Sequence, residues 1–293
     1  MKLMTKRNQM QRLILLYVIS INSVCYAASP DVERMAGRLN GRQGRAQVFE
    51  DVKRMGKAGR QQLRAVMKDK TRDREARASA IVFLGRLKAT EARKDLEDIL
   101  DQDDEDSSRE ASALALGQLG DKASIPKLKK AMNDKYVNVR MRAVESLAKM
   151  GDMSGRDSAF KTLTEDADVT GKLLASEALA ATGDKTLIPQ LQQYTESSDA
   201  WTKIYAKLAI KKIEIFDLSG TQRIGYLKSS LADSQFEVTR WAAGELAEIG
   251  SPEAIGILKQ AAKDRGLNGH YAAEKVLYRL LKEGKITQEE LDR

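Results

Sequence analysis

Two columns of charged residues recur along this 293-residue chain and are its first candidates for chemistry. Asp103, Asp134, Asp166, Asp233 and Asp264 share one register; Arg45, Arg77, Arg109, Arg140 and Lys172, with His270 in the last copy, share another. Five carboxylates suggest metal ligands, and a row of cations suggests a phosphate cradle. The spacing argues against both. Each column supplies one residue per repeat, and neighbouring helices lie about 10 Å apart. Ligands that must come within roughly 2.0–2.6 Å of one ion cannot converge from such positions. The aspartates read better as N-caps opening helices. His270 is the only histidine and Cys25 the only cysteine, so neither a nucleophile–base pair nor an all-histidine metal set can be assembled. The acidic run Asp101–Asp106 lacks the alternating ligands and central glycine of a calcium loop. No catalytic residue, cofactor site or metal site is expected, and the chain reads as a non-enzyme.

The elements that position these columns are helices. Ala, Leu, Lys, Glu, Arg and Gln are abundant, and only four prolines occur. Self-comparison reveals a repeat. Its closing position is held by Gly56, Lys88, Gly120, Gly151, Gly183, Asp217, Gly250 and Leu281, at intervals of 31 to 34 residues. Four residues earlier stand Leu84, Leu116, Leu147, Leu179, Ile213, Leu246 and Leu277; eight earlier stand Ala80, Ala143, Ala175, Ala209, Ala242 and Ala273. Residues four apart share a helix face, and the small alanines let a neighbouring helix approach. The glycine can end the helix, and Asp121, Asp152, Asp184 or Ser251 turns the chain. A second apolar helix follows, with Pro126 and Pro189 in its first turn. The fold expected is all-α, an α-solenoid superhelix of about eight helix pairs. At the C-terminus Thr287-Gln288-Glu289-Glu290 has the form of a capping box, starting a short helix to close the stack.

The pattern Asp…Val-Arg…Ala…Leu…Leu-Gly-Asp…Ile-Pro…Leu, carried by Asp134 through Leu163 and Asp103 through Leu128, resembles the HEAT repeat family, in particular its bacterial HEAT-like branch with the bilin-lyase-type repeats. The resemblance covers roughly Leu39 to the C-terminus. It implies that the Arg column reaches a neighbouring repeat's loop. The family includes scaffolds, transport adaptors, bilin lyases, a DNA glycosylase group and an iron-dependent hydroxylase, so the fold alone does not choose a function. The hydroxylase relatives need His-Glu pairs, which this sequence lacks.

The N-terminus has the order of a secretory signal peptide. Lys2, Lys6, Arg7 and Arg12 precede the apolar stretch Leu13–Ile19, and Cys25-Tyr26-Ala27 offers small residues for cleavage after Ala27 or Ala28. Residues 1–28 are therefore expected to be a leader and 29–293 the solenoid, exported to the periplasm or secreted. The mature chain would lack a transmembrane segment. Its formal charge falls from +8 to +4, with 18 Lys/Arg against 9 Asp/Glu between Ser29 and Asp95.

The main function expected is a scaffold that binds another protein through the concave face lined by second helices. Candidate contacts are Lys127, Lys130, Gln190, Gln193, Lys259 and Gln260, with Trp201 and Tyr205 from an aromatic cluster near Tyr194. Trp241 is expected to pack between repeats. The alternative is binding of an anionic surface or polyanion by the arginine-rich first third, with Arg54, Arg60, Arg64, Arg72 and Arg74 as contacts. Nucleic acid is not expected as the partner of an exported protein. Bilin-lyase-like chemistry is the third reading, drawn from the family resemblance alone.

Overall fold

The computed structural model describes residues 30–40 and 42–292, and the leader expected over 1–28 lies outside them. Helices and short turns account for the secondary structure, and no strand occurs among the described residues. The all-α solenoid is what the sequence pattern required. Contacts divide the chain into two units meeting at Met150 and Gly151.

The first unit contains α1 (Pro30–Leu39), α2 (Arg42–Met55), α3 (Lys57–Lys68), α4 (Arg74–Arg86), α5 (Arg93–Gln102), α6 (Asp106–Leu119), α7 (Ile125–Ala131) and α8 (Val137–Lys149). The second contains α9 (Arg156–Glu165), α10 (Val169–Ala180), α11 (Ile188–Gln192), α12 (Ala200–Glu214), α13 (Gly220–Ser230), α14 (Phe236–Ile249), α15 (Pro252–Lys263), α16 (His270–Lys282) and α17 (Gln288–Asp292). The eight first helices are α2, α4, α6, α8, α10, α12, α14 and α16. α1 was not visible as a repeat element; its Val32, Met35, Ala36 and Leu39 are buried and complete the core ahead of the first pair.

The alanine and leucine columns do the packing. Ala80 and Leu84 in α4, Leu116 in α6, and Ala143 and Leu147 in α8 are fully buried in one core. Each buried Leu contributes roughly 1.5–3 kcal/mol relative to exposure. Alanine and glycine set how closely the helices meet. A Cβ added to Gly117 would lie 2.3 Å from Ser146 Oγ, and one on Gly85 would lie 2.7 Å from Ala115 Cα. Ser146 uses this proximity to donate to the Ala113 carbonyl at 2.8 Å. In the second unit Ala242, Leu246, Ala273 and Leu277 repeat the arrangement, with Trp241 half-buried against them.

Helix ends follow the sequence logic with three departures. Gly120 and Gly250 take left-handed conformations as C-caps, with φ 73° and 62°. After Gly120, Asp121 accepts from the Ala123 N–H and a 3₁₀ turn leads into α7, whose first turn holds Pro126. The first departure is that Lys88 occupies the glycine position in the same left-handed region, at φ 52°. The second is that α16 continues past Leu281, and the left-handed residue is Gly284. The third concerns the aspartate column. Asp103, Asp134, Asp166, Asp233 and Asp264 do not occupy the N-caps; each accepts from the backbone N–H two residues on, in an Asx turn before the helix. Displaced from the helix start, the Asp103 and Asp134 carboxylates keep their other oxygen for a different partner.

Candidate functional site

In the first unit that partner is the arginine column. Arg77 in α4 donates both terminal nitrogens to the Asp103 carboxylate, and its Nε donates to the Met67 carbonyl at 3.2 Å. Arg109 in α6 repeats the step on Asp134, at 2.8 and 3.1 Å, and also reaches the Asp103 carbonyl at 2.8 Å. Both side chains of the Arg77–Asp103 pair are 3% exposed. Burial works to raise the Asp103 carboxyl but is outweighed by Arg77 and the Glu105 N–H, leaving it below the usual range. Asp134 is held low in the same way by Arg109 and the Tyr136 N–H. Bidentate geometry is what makes a buried pair tolerable. Arg45 opens the column with Glu75 at 2.7 Å and the Leu39 carbonyl at 2.8 Å. Arg140 donates to the carbonyls of Asp134 and Lys135.

In the second unit Lys172 replaces arginine, reaching Thr202 Oγ1 at 2.7 Å and the Leu163 carbonyl at 3.0 Å. The His270 ring Nδ1 stands 3.0 Å from the Leu267 carbonyl in its own loop. Arg45, Arg77, Arg109 and Lys172 thus tie neighbouring repeats together, whereas Arg140 and His270 reach only the loop that precedes their own helix. No group of three or more His, Cys, Asp or Glu is placed to hold a metal among the described residues.

Acid–base pairs also cover the second helices of the first unit. In α3, Arg60 meets Glu91 at 2.6 Å, and Arg64 and Lys68 meet Asp95 at 2.5 Å each. Asp101 of α5 lies between Lys127 and Lys130 of α7, the latter at 2.8 Å; both ammonium groups hold its carboxyl below the usual range. Glu97, buried and overlooked in the sequence, joins Arg93 at 2.6 Å to Ser124 Oγ at 2.7 Å. Its position beside Leu96 on the apolar face of α5 was the available signal.

The remaining candidates are dispersed. Arg54 pairs with Asp51, and Arg72 meets Glu33 at 2.5 Å and Asp69 at 3.0 Å. Arg74 is exposed and has no acid partner among the described residues. Gln190, Gln193 and Gln260 are exposed, and Lys259 donates to the Glu290 carbonyl at 2.6 Å. Tyr205 is 4% exposed and stacks on Trp201, which is 40% exposed, at 5.8 Å. Tyr205 is thus core, and Trp201 offers a ring face to solvent.

Residues 96–165 match the model described as HEAT repeats. The chain carries HEAT repeats. Residues 238–264 match a second model, the PBS lyase HEAT-like repeat. Nothing among the curated proteins matches the sequence. Similar solved structures include the complex of CpcE and CpcF of phycocyanin lyase from Nostoc sp. PCC7120, at 21% identity and TM-score 0.47, covering 80% of this chain and 91% of that one. Human deoxyhypusine hydroxylase in complex with glycerol is another, at 15% identity and TM-score 0.38, covering 90% of this chain and 98% of that one. The second match corrects the expectation of a non-enzyme: a HEAT-like repeat named for a lyase occurs in the chain, so the exclusion of catalysis does not stand.

Proposed function

We propose that this HEAT-repeat protein is exported and that it binds a protein partner through the second-helix face of its first unit. The observation that carries this reading is the charge balance of that face. Arg60, Arg64 and Lys68 are already paired with Glu91 and Asp95, and Lys127 and Lys130 share Asp101. A polyanion would have to displace these carboxylates one by one, whereas a folded protein can match a surface of both signs. Binding is also a step that scaffolds and lyases built on such repeats would share, so the proposal holds for either.

Two measurements test it. Mature protein immobilised from its own host should retain one reproducible protein from the exported fraction, and K127E/K130E should lose it. Retention unchanged in that variant would sink the assignment of this face. A polyphosphate or nucleic-acid probe should bind weakly; engagement of about five phosphates, with a log–log salt slope near −4, would favour the polyanion reading instead. Export is tested by intact mass: the processed chain should begin at Ala28 or Ser29.

A further inference from the structure

A pocket of about 400 Å³ opens among α1, α2 and α3, lined by Arg34, Met35, Arg38, Val48, Asp51, Arg54, Met55 and Gln62. Its volume falls within the range of about 300–1,000 Å³ usual for small-ligand sites. The chemistry of its lining is divided. Arg38 and Arg54 converge on the Asp51 carboxylate, the former at 2.8 Å, and Gln47 Nε2 donates to the same group at 3.0 Å. The Gln47 bond, followed by that from Arg38, holds the Asp51 carboxyl below its usual range. Met35 and Val48 are buried, and Met55 is an exposed apolar side chain at the rim.

Gln62 is the telling residue. It is only 6% exposed, yet its side-chain amide forms no hydrogen bond among the described residues. The amide is not sealed from solvent, so it faces the open pocket, and amides in such enclosed places are nearly always satisfied by water or another group where the protein offers none. Here the amide lines the pocket, where a ligand could satisfy it. The required ligand then has three features: an anionic group for the guanidinium pair, a neutral hydrogen-bonding group for Gln62, and an aliphatic body for Met35, Val48 and Met55.

We infer that this pocket binds an N-acylated aliphatic amino acid carboxylate, the chemistry of a polypeptide C-terminus or of a free acyl amino acid. Asp51 acts as the resident anion, holding Arg38 and Arg54 in place until the ligand's carboxylate takes its share of them. A plain fatty acid would meet the arginines but leave Gln62 unpartnered. The pocket is separate from the face of α3, α5 and α7 proposed above, and either assignment can fail without the other.

The test is fluorescence anisotropy on the full mature chain with an N-terminally labelled hexapeptide ending in Leu. The free acid should bind at least about tenfold more tightly than the C-terminal amide, since hydrogen bonds to charged groups contribute roughly 1.5–3 kcal/mol. D51N should tighten binding severalfold by removing the competitor, and Q62L should weaken it while leaving the circular dichroism unchanged. Equal affinity for acid and amide would overturn the proposal, as would weaker binding by D51N or competition by decanoate as strong as that by unlabelled peptide. Competition by N-acetyl-leucine at the unlabelled peptide's concentration would support the site and assign it to a free acyl amino acid. Competition by the peptide alone would support it as a site for a chain end. The acid–amide comparison needs no variant, so it stands even if Q62L does not fold.

Discussion

Arg77 and Asp103 show how a charged column can look catalytic in sequence and prove structural. Each side chain is buried, and each satisfies the other through two nitrogens and two oxygens. Removing one partner strands a charge, so R77A or D103A should cost about 3–5 kcal/mol in urea unfolding. Replacing both by Met and Leu should cost much less, and a double-mutant cycle measures the difference. If the single variants cost under about 1 kcal/mol, the pair behaves as an exposed one and the ladder loses its structural role. Lys88 poses the opposite case. It holds a left-handed conformation that normally costs a non-glycine residue roughly 1–2 kcal/mol. Its ammonium group donates to the Gln118 carbonyl, but at an exposed site that returns little. K88G should therefore raise stability by up to about 1 kcal/mol, read as a higher denaturation midpoint.

The small residues of α4, α6 and α8 decide how closely these elements meet. Helix propensity alone says that G117A should stabilise α6 by roughly 1 kcal/mol. Geometry says otherwise, because the new methyl would lie 2.3 Å from Ser146 Oγ and 2.9 Å from Ser146 Cα. A net loss of about 1–3 kcal/mol is expected, with the Ser146 to Ala113 hydrogen bond broken. Stabilisation by G117A would show that the contact can relax at little cost. Most element boundaries were legible because the repeats state them redundantly: Ala and Leu four apart in most copies, Gly-Asp at three of the closing positions, and Ile-Pro opening two of the second helices. α1 was not legible, since a single ten-residue helix ahead of the repeat has no copy to be compared with. The true C-terminal end of α16 was hidden for a related reason. Leu281 sits at the repeat register, but nothing at that position stops a helix, and Gly284 does. Candidate contacts were less legible still. Sequence showed that Lys127 and Lys130 share a helix face, but not that Asp101, on another helix, occupies both. The pocket around Gln62 depends on three helices meeting and had no local signature.

Across the molecule, the buried acids are unevenly placed, and this should make one unit more acid-sensitive than the other. Asp103, Asp134 and Glu145 all lie in the first unit, and in each case burial, which opposes ionisation, is outweighed by neighbouring cations and, for the aspartates, backbone donors. Their carboxyls are therefore held below the unfolded value, near 4 for such groups. A depressed folded pKa means that the unfolded chain binds protons more readily as the pH falls. The stabilisation is thus fully present above about pH 5 and drains away as the pH drops through 4 and below. In the second unit the acids held low are Asp184, Glu196 and Asp199, and the side chains of Glu196 and Asp199 are 83% and 49% exposed. Solvent screens such groups, so less stability depends on their charge. Hydrogen exchange read by mass spectrometry, corrected for intrinsic rates, should show protection in α4, α6 and α8 falling between pH 5 and about 3. Protection in α14 and α16 should fall less. D103N should start with lower protection at neutral pH and lose less of it on acidification, because its side chain no longer titrates. Parallel losses in both units, or an unchanged acid response in D103N, would mean that the buried arginine–aspartate ladder does not set the acid stability of the chain.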